Sequence, residues 1–202
     1  MPEWIYISST KFLNTILTMA GLIPLAHLIY LGHQDALSAN PIEFITRFTG
    51  SWALIFLCLT LAVTPLRRIT GYNLLIKLRR TLGLLVFFYA SLHVLTWICL
   101  DQSLDIDAML RDVIKRPFIT MGFISFILLW PLAITSNQKA KNILKRRWSQ
   151  IHTLIYVIAI TVIAHYWWHK SGKNDYAQVS LYASIMAILL GYRIIFKNRV
   201  KN

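Results

Sequence analysis

Apolar residues in this chain form long, nearly uninterrupted stretches instead of alternating with polar ones. Six such stretches occur, at 13–32, 49–66, 82–100, 118–135, 150–168 and 178–196. Each has about the ~20 residues that an α-helix needs to cross the hydrocarbon core of a bilayer. The connections between them are too short for a soluble domain. The pattern therefore predicts an all-α, polytopic membrane helix bundle with six transmembrane helices, built as a single domain over residues 1–202.

The positions of the basic residues predict how the bundle is oriented. The formal net charge is +13, and the positive residues cluster after the second, fourth and sixth spans: Arg67, Arg68, Lys77, Arg79, Arg80; Lys139, Lys141, Lys145, Arg146, Arg147; Arg193, Lys197, Arg199, Lys201. Short loops rich in Lys and Arg stay in the cytoplasm, so both termini are predicted to be cytoplasmic. Because these charges flank membrane spans, we assign them to membrane lipid and not to nucleic acid.

The longest connection on the predicted outer side, 101–117, has helical periodicity. Its apolar positions face one way and its charged positions another: Ile106, Met109, Leu110, Val113 and Ile114 against Asp105, Asp107, Arg111, Asp112 and Lys115. This pattern predicts a short amphipathic helix that ends before Pro117. It serves either as a connector on the membrane surface or as a docking surface for an external partner.

Three histidines, His93, His152 and His165, lie in or at the edge of apolar stretches. An ionisable side chain is costly in hydrocarbon and is usually retained there for a function. Neutral imidazole is a common axial ligand of haem iron. His93 lies ~20 Å along a helix from Arg80, so it falls in the outer half of the membrane, as His165 does. These two are predicted to face each other across one porphyrin and to give six-coordinate, low-spin iron.

His152 leaves two interpretations open. It lies ~20 Å from His165 along the fifth span, and a straight helix would point the two side chains ~140° apart. Either a distortion of the helix or two haems packed on different sectors would have to absorb this difference. Its expected partner position on the third span holds Arg79 and Arg80, which cannot ligate iron because guanidinium stays protonated. Either a second haem uses another axial group, or His152 has another role. Arg79 and Arg80 are candidates to contact haem propionates, a flavin phosphate or lipid headgroups.

Several other chemistries are excluded. Covalent c-type haem attachment would need a Cys-x-x-Cys-His motif, which the chain lacks, so any haem here is held by ligation and packing alone. The eight acidic residues lie in loops or near the N-terminus, which argues against a proton-coupled carrier. His-Glu-x-x-His and Gly-x-Ser-x-Gly are absent, so no catalytic residue is predicted. His27 is predicted to be a packing residue, and His33 and His169 to be interfacial.

Ordered sequence blocks along nearly the whole chain carry a family resemblance. The blocks are Asn40-Pro41-Ile42-Glu43-Phe44-Ile45-Thr46-Arg47-Phe48-Thr49-Gly50, Thr64-Pro65-Leu66-Arg67-Arg68, Arg79-Arg80-Thr81-Leu82-Gly83-Leu84, Ser91-Leu92-His93, Lys115-Arg116-Pro117-Phe118-Ile119 and Arg146-Arg147-Trp148. Together they resemble the MsrQ (formerly YedZ) family of haem-binding membrane subunits, which has a ferric-reductase-type transmembrane domain. Four haem-binding histidines are usual in that domain type. This chain has fewer, because arginine at position 79 or 80 replaces the inner histidine of the third span.

The resemblance implies a function. It implies that histidines matching His93, His152 and His165 bind one or two b haems, and that FMN is associated with the protein. It also implies electron transfer in a bacterial inner membrane, from the quinone pool or a cytosolic flavin reductase to MsrP, a periplasmic molybdopterin enzyme that reduces methionine sulfoxide. With no flavin and nicotinamide domain after the last span, we expect no direct hydride transfer from NADPH and no substrate-reducing site. The alternative is a non-catalytic membrane scaffold or a transporter with incidental histidines.

Overall fold

The computed structural model describes residues 3–172 and 174–199, with side chains for 10–172 and 174–195. Its helices are α1 (Glu3–His33), α2 (Pro41–Thr70), α3 (Leu75–Thr96), α4 (Ile106–Lys115), α5 (Pro117–Ile134), α6 (Gln138–Leu144), α7 (Arg146–Ile151), α8 (Leu154–Ser171) and α9 (Ala177–Arg199), with a π-helical turn at Trp97–Asp101. The described part of the chain contains no β-strand. Six helical segments are long and apolar enough to cross a membrane, which confirms the prediction of an all-α, six-span protein.

The chain folds as two compact units, of which the first ends at Asp101 and the second begins at Gln102. In the first unit, α2 and α3 form a helical hairpin. Helix α2 begins before the apolar stretch does, because Asn40 caps it by accepting a hydrogen bond from the Glu43 amide (3.2 Å) and Pro41 occupies its first turn. The helix ends at Gly71, whose φ of 74° lies in the left-handed region.

Tyr89 joins α3 to α1 within the first unit. Its side chain is fully buried, and its hydroxyl donates to the Gly21 carbonyl (2.8 Å) and accepts from the Leu25 amide (3.2 Å). These two backbone groups are the i and i+4 partners of a regular helix, and Pro24 lies between them. The hydroxyl is therefore inserted between the two partners of one helical hydrogen bond of α1, next to the internal proline, and it satisfies both of them.

In the second unit, α4 is the predicted amphipathic helix. Asp105 caps it by accepting from the Ala108 amide (2.9 Å), and α5 begins at Pro117 after the extended residue Arg116. One apolar stripe of α4 remains exposed, formed by Ile106, Leu110 and Ile114. The prediction of a short helix before Pro117 is confirmed.

The fifth span is not one straight helix. Helix α7 ends at Ile151 and α8 begins at Leu154, so His152 and Thr153 lie in a turn between them. The Thr153 amide bonds the Gln150 carbonyl (3.1 Å), and the Thr153 hydroxyl donates to that same oxygen (2.6 Å). This tight local bonding interrupts the helix. Beyond the turn, α8 packs along α5, where the Ser125 hydroxyl donates to that of Thr161 (2.7 Å).

Candidate functional site

His93 lies on α3, and its imidazole ring packs against the backbone of α2. Its Nδ1 is 2.8 Å from the Thr46 carbonyl oxygen. A carbonyl can only accept, so Nδ1 carries the hydrogen and the lone pair of the neutral ring is on Nε2. Gly50 follows Thr46 by one helical turn, and a Cβ built there would lie 3.0 Å from both Nδ1 and Cε1 of the ring. The imidazole is therefore held between a carbonyl and a glycine of the same helix.

His165, on α8 in the second unit, is held in the same way by α5. Its Nδ1 is 2.6 Å from the Phe118 carbonyl oxygen. Gly122 follows Phe118 by one turn, and a Cβ built there would lie 2.8 Å from Nδ1 and 3.0 Å from Cε1. In both units the histidine comes 47 positions after its carbonyl acceptor. We call this arrangement of a helix carbonyl and a glycine one turn later the histidine cradle.

The histidine cradle suits a metal-ligating imidazole. Histidines that bind metals usually donate their second ring N–H to a carbonyl or carboxylate, which fixes the ring orientation and raises the basicity of the ligating nitrogen. His93 and His165 both satisfy this condition through Nδ1. The described residues include no group of three or more His, Cys, Asp or Glu side chains that could hold a bare metal ion. Haem iron needs only axial groups from the protein, since the porphyrin supplies the others, and this donor set fits haem.

Trp97 adds a second sign of a bound group near His93. It lies one helical turn after His93, where α3 passes into the π-helical turn. Within the part of the chain that the structure describes, its buried indole Nε1 has no hydrogen-bond partner. A buried donor without a partner costs ~1–3 kcal/mol, so such donors normally have an acceptor. A carboxylate of a bound haem would supply one.

His152 has different surroundings and no histidine cradle. Its Nε2 is 3.1 Å from the Thr135 hydroxyl oxygen, and its ring stacks on Trp148 with centroids 4.1 Å apart. The Trp148 indole in turn donates to the Thr135 carbonyl (2.8 Å). Iron ligation through Nε2 would require the contact with Thr135 to open.

The structure places the remaining predicted residues as follows. Arg79 is half-buried and Arg80 is exposed, both in the first part of α3, far along the helix from His93. His27 is exposed on α1, with its ring 6.5 Å from that of Phe48.

The sequence interpretation missed Gly50 and Gly122 and the two carbonyl acceptors. A backbone carbonyl has no sequence signature. The spacing was available, because each histidine follows a glycine at the same distance in the two halves, but glycine is common in membrane helices and carries little information alone. Only the packing of helix against helix distinguishes these two glycines from the others.

Comparison with known proteins identifies the family. A family model described as "Ferric reductase like transmembrane component" matches residues 49–163, which include His93 and His152 and end just before His165. A protein from Ralstonia nicotianae named "Protein-methionine-sulfoxide reductase heme-binding subunit MsrQ" is 49% identical over 195 residues, covering 96% of this chain and 90% of the relative. The chain belongs to the MsrQ family.

Other MsrQ relatives agree over a similar length. Proteins with the same name from Bordetella pertussis and Herminiimonas arsenicoxydans are each 51% identical to this chain. The matches cover 90% and 94% of this chain and 88% of each relative. The predicted family resemblance is thereby confirmed, and with its six spans this MsrQ-family chain is a multi-pass membrane protein.

Proposed function

We propose that this protein is the haem-binding, electron-transferring membrane subunit of a methionine sulfoxide reductase system. The single observation that carries the proposal is the pair of equivalent histidine cradles at His93 and His165. Membership of a family whose members are named as haem-binding subunits supports it. The two units of the chain then act together as one haem domain.

His93 and His165 would be the two axial ligands of one haem b. In each, the Nδ1–H bond to a helix carbonyl directs the Nε2 lone pair away from that helix and increases its basicity. When bound, haem supplies an iron that accepts and releases one electron, and two imidazoles leave it without an open site for oxygen. The protein's contribution is to hold both rings in a fixed tautomer and orientation, so that little rearrangement accompanies a change of charge.

The direction of electron transfer follows from the proposed orientation. With the basic loops and both termini in the cytoplasm, His93 and His165 lie in the outer half of a bacterial inner membrane. Electrons would enter from the quinone pool or a cytosolic flavin reductase and leave towards a periplasmic MsrP-like molybdopterin reductase. The protein itself would reduce no methionine sulfoxide.

Two parts of this proposal concern further groups. Arg79 and Arg80, at the cytoplasmic side, would contact an anionic group, either a haem propionate, the phosphate of FMN or a lipid headgroup. His152 would be a ligand of a second haem, and its contact with Thr135 would then have to be broken. The exposed stripe of α4 would lie in the outer membrane surface, where MsrP would have access to it.

The decisive experiment is a reduced-minus-oxidised visible spectrum of the purified protein, with extracted haem quantified per chain. We expect sharp low-spin b-type bands in the wild type. His93→Ala and His165→Ala should each abolish the same low-spin species, because six-coordination needs both rings. His33→Ala is the matched control, since His33 is an exposed histidine at the end of α1.

Two outcomes would contradict the proposal. A wild-type preparation that stays colourless after haem supplementation would favour the non-catalytic scaffold. A normal low-spin spectrum in either histidine variant would refute the pairing of His93 with His165. The donor and acceptor are tested separately, by reducing the protein with quinol or with a flavin reductase and following its reoxidation by an MsrP-like enzyme with methionine sulfoxide.

A further inference from the structure

We infer that Gly50 and Gly122 are positioning residues, which set the orientation and the electron-donating strength of the two axial histidines. The inference rests on the proposed function, because it takes His93 and His165 as haem ligands. It adds that each imidazole packs this closely on its carbonyl acceptor because the residue one turn later on the same helix has no side chain.

The steric argument is direct at Gly50. The ring of His93 lies where a side chain at position 50 would begin, since a Cβ there would be 3.0 Å from Nδ1 and from Cε1. Contacts this short are closer than ordinary van der Waals separations of ~3.5–4.0 Å. The ring therefore has to move away from α2 by a few tenths of an ångström, and Nδ1, now 2.8 Å from the Thr46 carbonyl oxygen, moves with it, which lengthens and weakens that hydrogen bond.

Gly122 is more tightly constrained. A Cβ there would lie 2.8 Å from Nδ1 of His165 and 3.4 Å from Cγ, so the clash extends across one edge of the ring. The atom displaced most is again the nitrogen that donates to a carbonyl, here that of Phe118 at 2.6 Å. The same close approach of a glycine to the Nδ1 edge of a histidine occurs in both units, among different neighbouring residues. This repetition indicates that the histidine requires the glycine and that the contact is not an accident of local packing.

Weakening the Nδ1–H bond has a definite electronic consequence. That hydrogen bond increases negative charge on the imidazole and so favours ferric over ferrous iron at Nε2. Its loss should raise the midpoint potential of any haem that is retained. It also frees the ring to rotate, which should weaken haem binding. Loss of an outer-shell partner of a metal ligand typically weakens metal affinity about 10- to 100-fold.

The chain offers matched glycines for control substitutions. Gly83 on α3 and Gly191 on α9 have no atom within 4 Å of a built Cβ, so alanine fits there without any clash. Gly21 is crowded, but by a side chain other than histidine, since its built Cβ lies 2.5 Å from Cδ1 of Leu85. Gly21→Ala thus reproduces the steric crowding in a membrane helix without touching an imidazole.

The test compares Gly50→Ala and Gly122→Ala with Gly21→Ala, Gly83→Ala and Gly191→Ala in the purified full-length protein. The readouts are haem per chain, the low-spin absorption bands, and the midpoint potential by redox titration. We expect the first two variants to lose haem affinity about 10- to 100-fold and to shift the potential of residual haem upward. Gly21→Ala should lower the unfolding temperature and leave the spectrum and potential unchanged.

The outcomes separate this inference from the proposed function. A haem-free wild type would refute the proposed function. A wild type with low-spin haem, combined with wild-type affinity and potential in Gly50→Ala and Gly122→Ala, would refute the inference alone. An equal loss of haem in Gly21→Ala would also refute it, because crowding anywhere would then suffice. The two glycines lie in different units, so if one variant does not fold, the other still decides.

Discussion

Replacement of Tyr89 by Phe tests how the helix that carries His93 is attached to α1. The substitution removes one oxygen and keeps the ring, which packs against Phe56 and Trp52 with centroids 5.4 and 6.5 Å apart. What is lost is the pair of hydrogen bonds to the backbone of α1 at Gly21 and Leu25. The change in stability therefore measures those two bonds and little else.

The magnitude can be bounded from the geometry. A hydrogen bond between membrane helices contributes ~0.6 kcal/mol on average and up to ~1.7 kcal/mol, so two bonds contribute about 1–3 kcal/mol. Without the hydroxyl, the Gly21 carbonyl and the Leu25 amide can bond each other and recover part of this. We therefore expect a loss of ~1–2 kcal/mol. For a chain of this length, that corresponds to a decrease in unfolding temperature of roughly 2–8 °C.

The assay is thermal unfolding of the haem-loaded protein in detergent, followed by circular dichroism and by the haem absorption band. Tyr30→Phe is the matched control, because Tyr30 is a tyrosine of the same unit, on α1, whose side chain is 59% exposed. The low-spin spectrum before heating should be unchanged, since Tyr89 does not touch His93 in the described contacts. Unfolding of Tyr89→Phe at the wild-type temperature, or an equal decrease in Tyr30→Phe, would refute the reasoning.

Two further predictions concern His152 and Trp97. His152→Ala should leave the low-spin species of His93 and His165 intact, because His152 has separate contacts with Thr135 and Trp148. The haem-to-chain ratio of this variant shows whether a second haem depends on His152. Loss of all haem would contradict the pairing of His93 with His165. Trp97→Phe should speed the transfer of haem to an acceptor such as apomyoglobin, because the indole donor would no longer bind a haem carboxylate; an unchanged transfer rate would exclude that contact.

Much of the fold was predictable from residue pattern alone. In a bilayer every backbone polar group must be satisfied within the segment, so a stretch of ~20 apolar residues has essentially one structure available to it. Local rules also predicted α4, whose cap at Asp105 and stop before Pro117 depend only on neighbouring residues. A distortion of the fifth span was one of two alternatives, but the position of the break at His152 and Thr153 was not predicted, because apolar composition does not distinguish a continuous helix from an interrupted one.

The candidate site was likewise predictable in part from the sequence and in part only from the tertiary structure. The sequence by itself determined that this is a six-span membrane protein and that His93, His152 and His165 are its most unusual residues, because ionisable groups are rare in hydrocarbon. Only the tertiary structure distinguished among the three. It gave His93 and His165 a carbonyl acceptor and a facing glycine, and gave His152 a threonine and a tryptophan. The physical reason is that a carbonyl and the absence of a side chain become visible only when another helix packs against them.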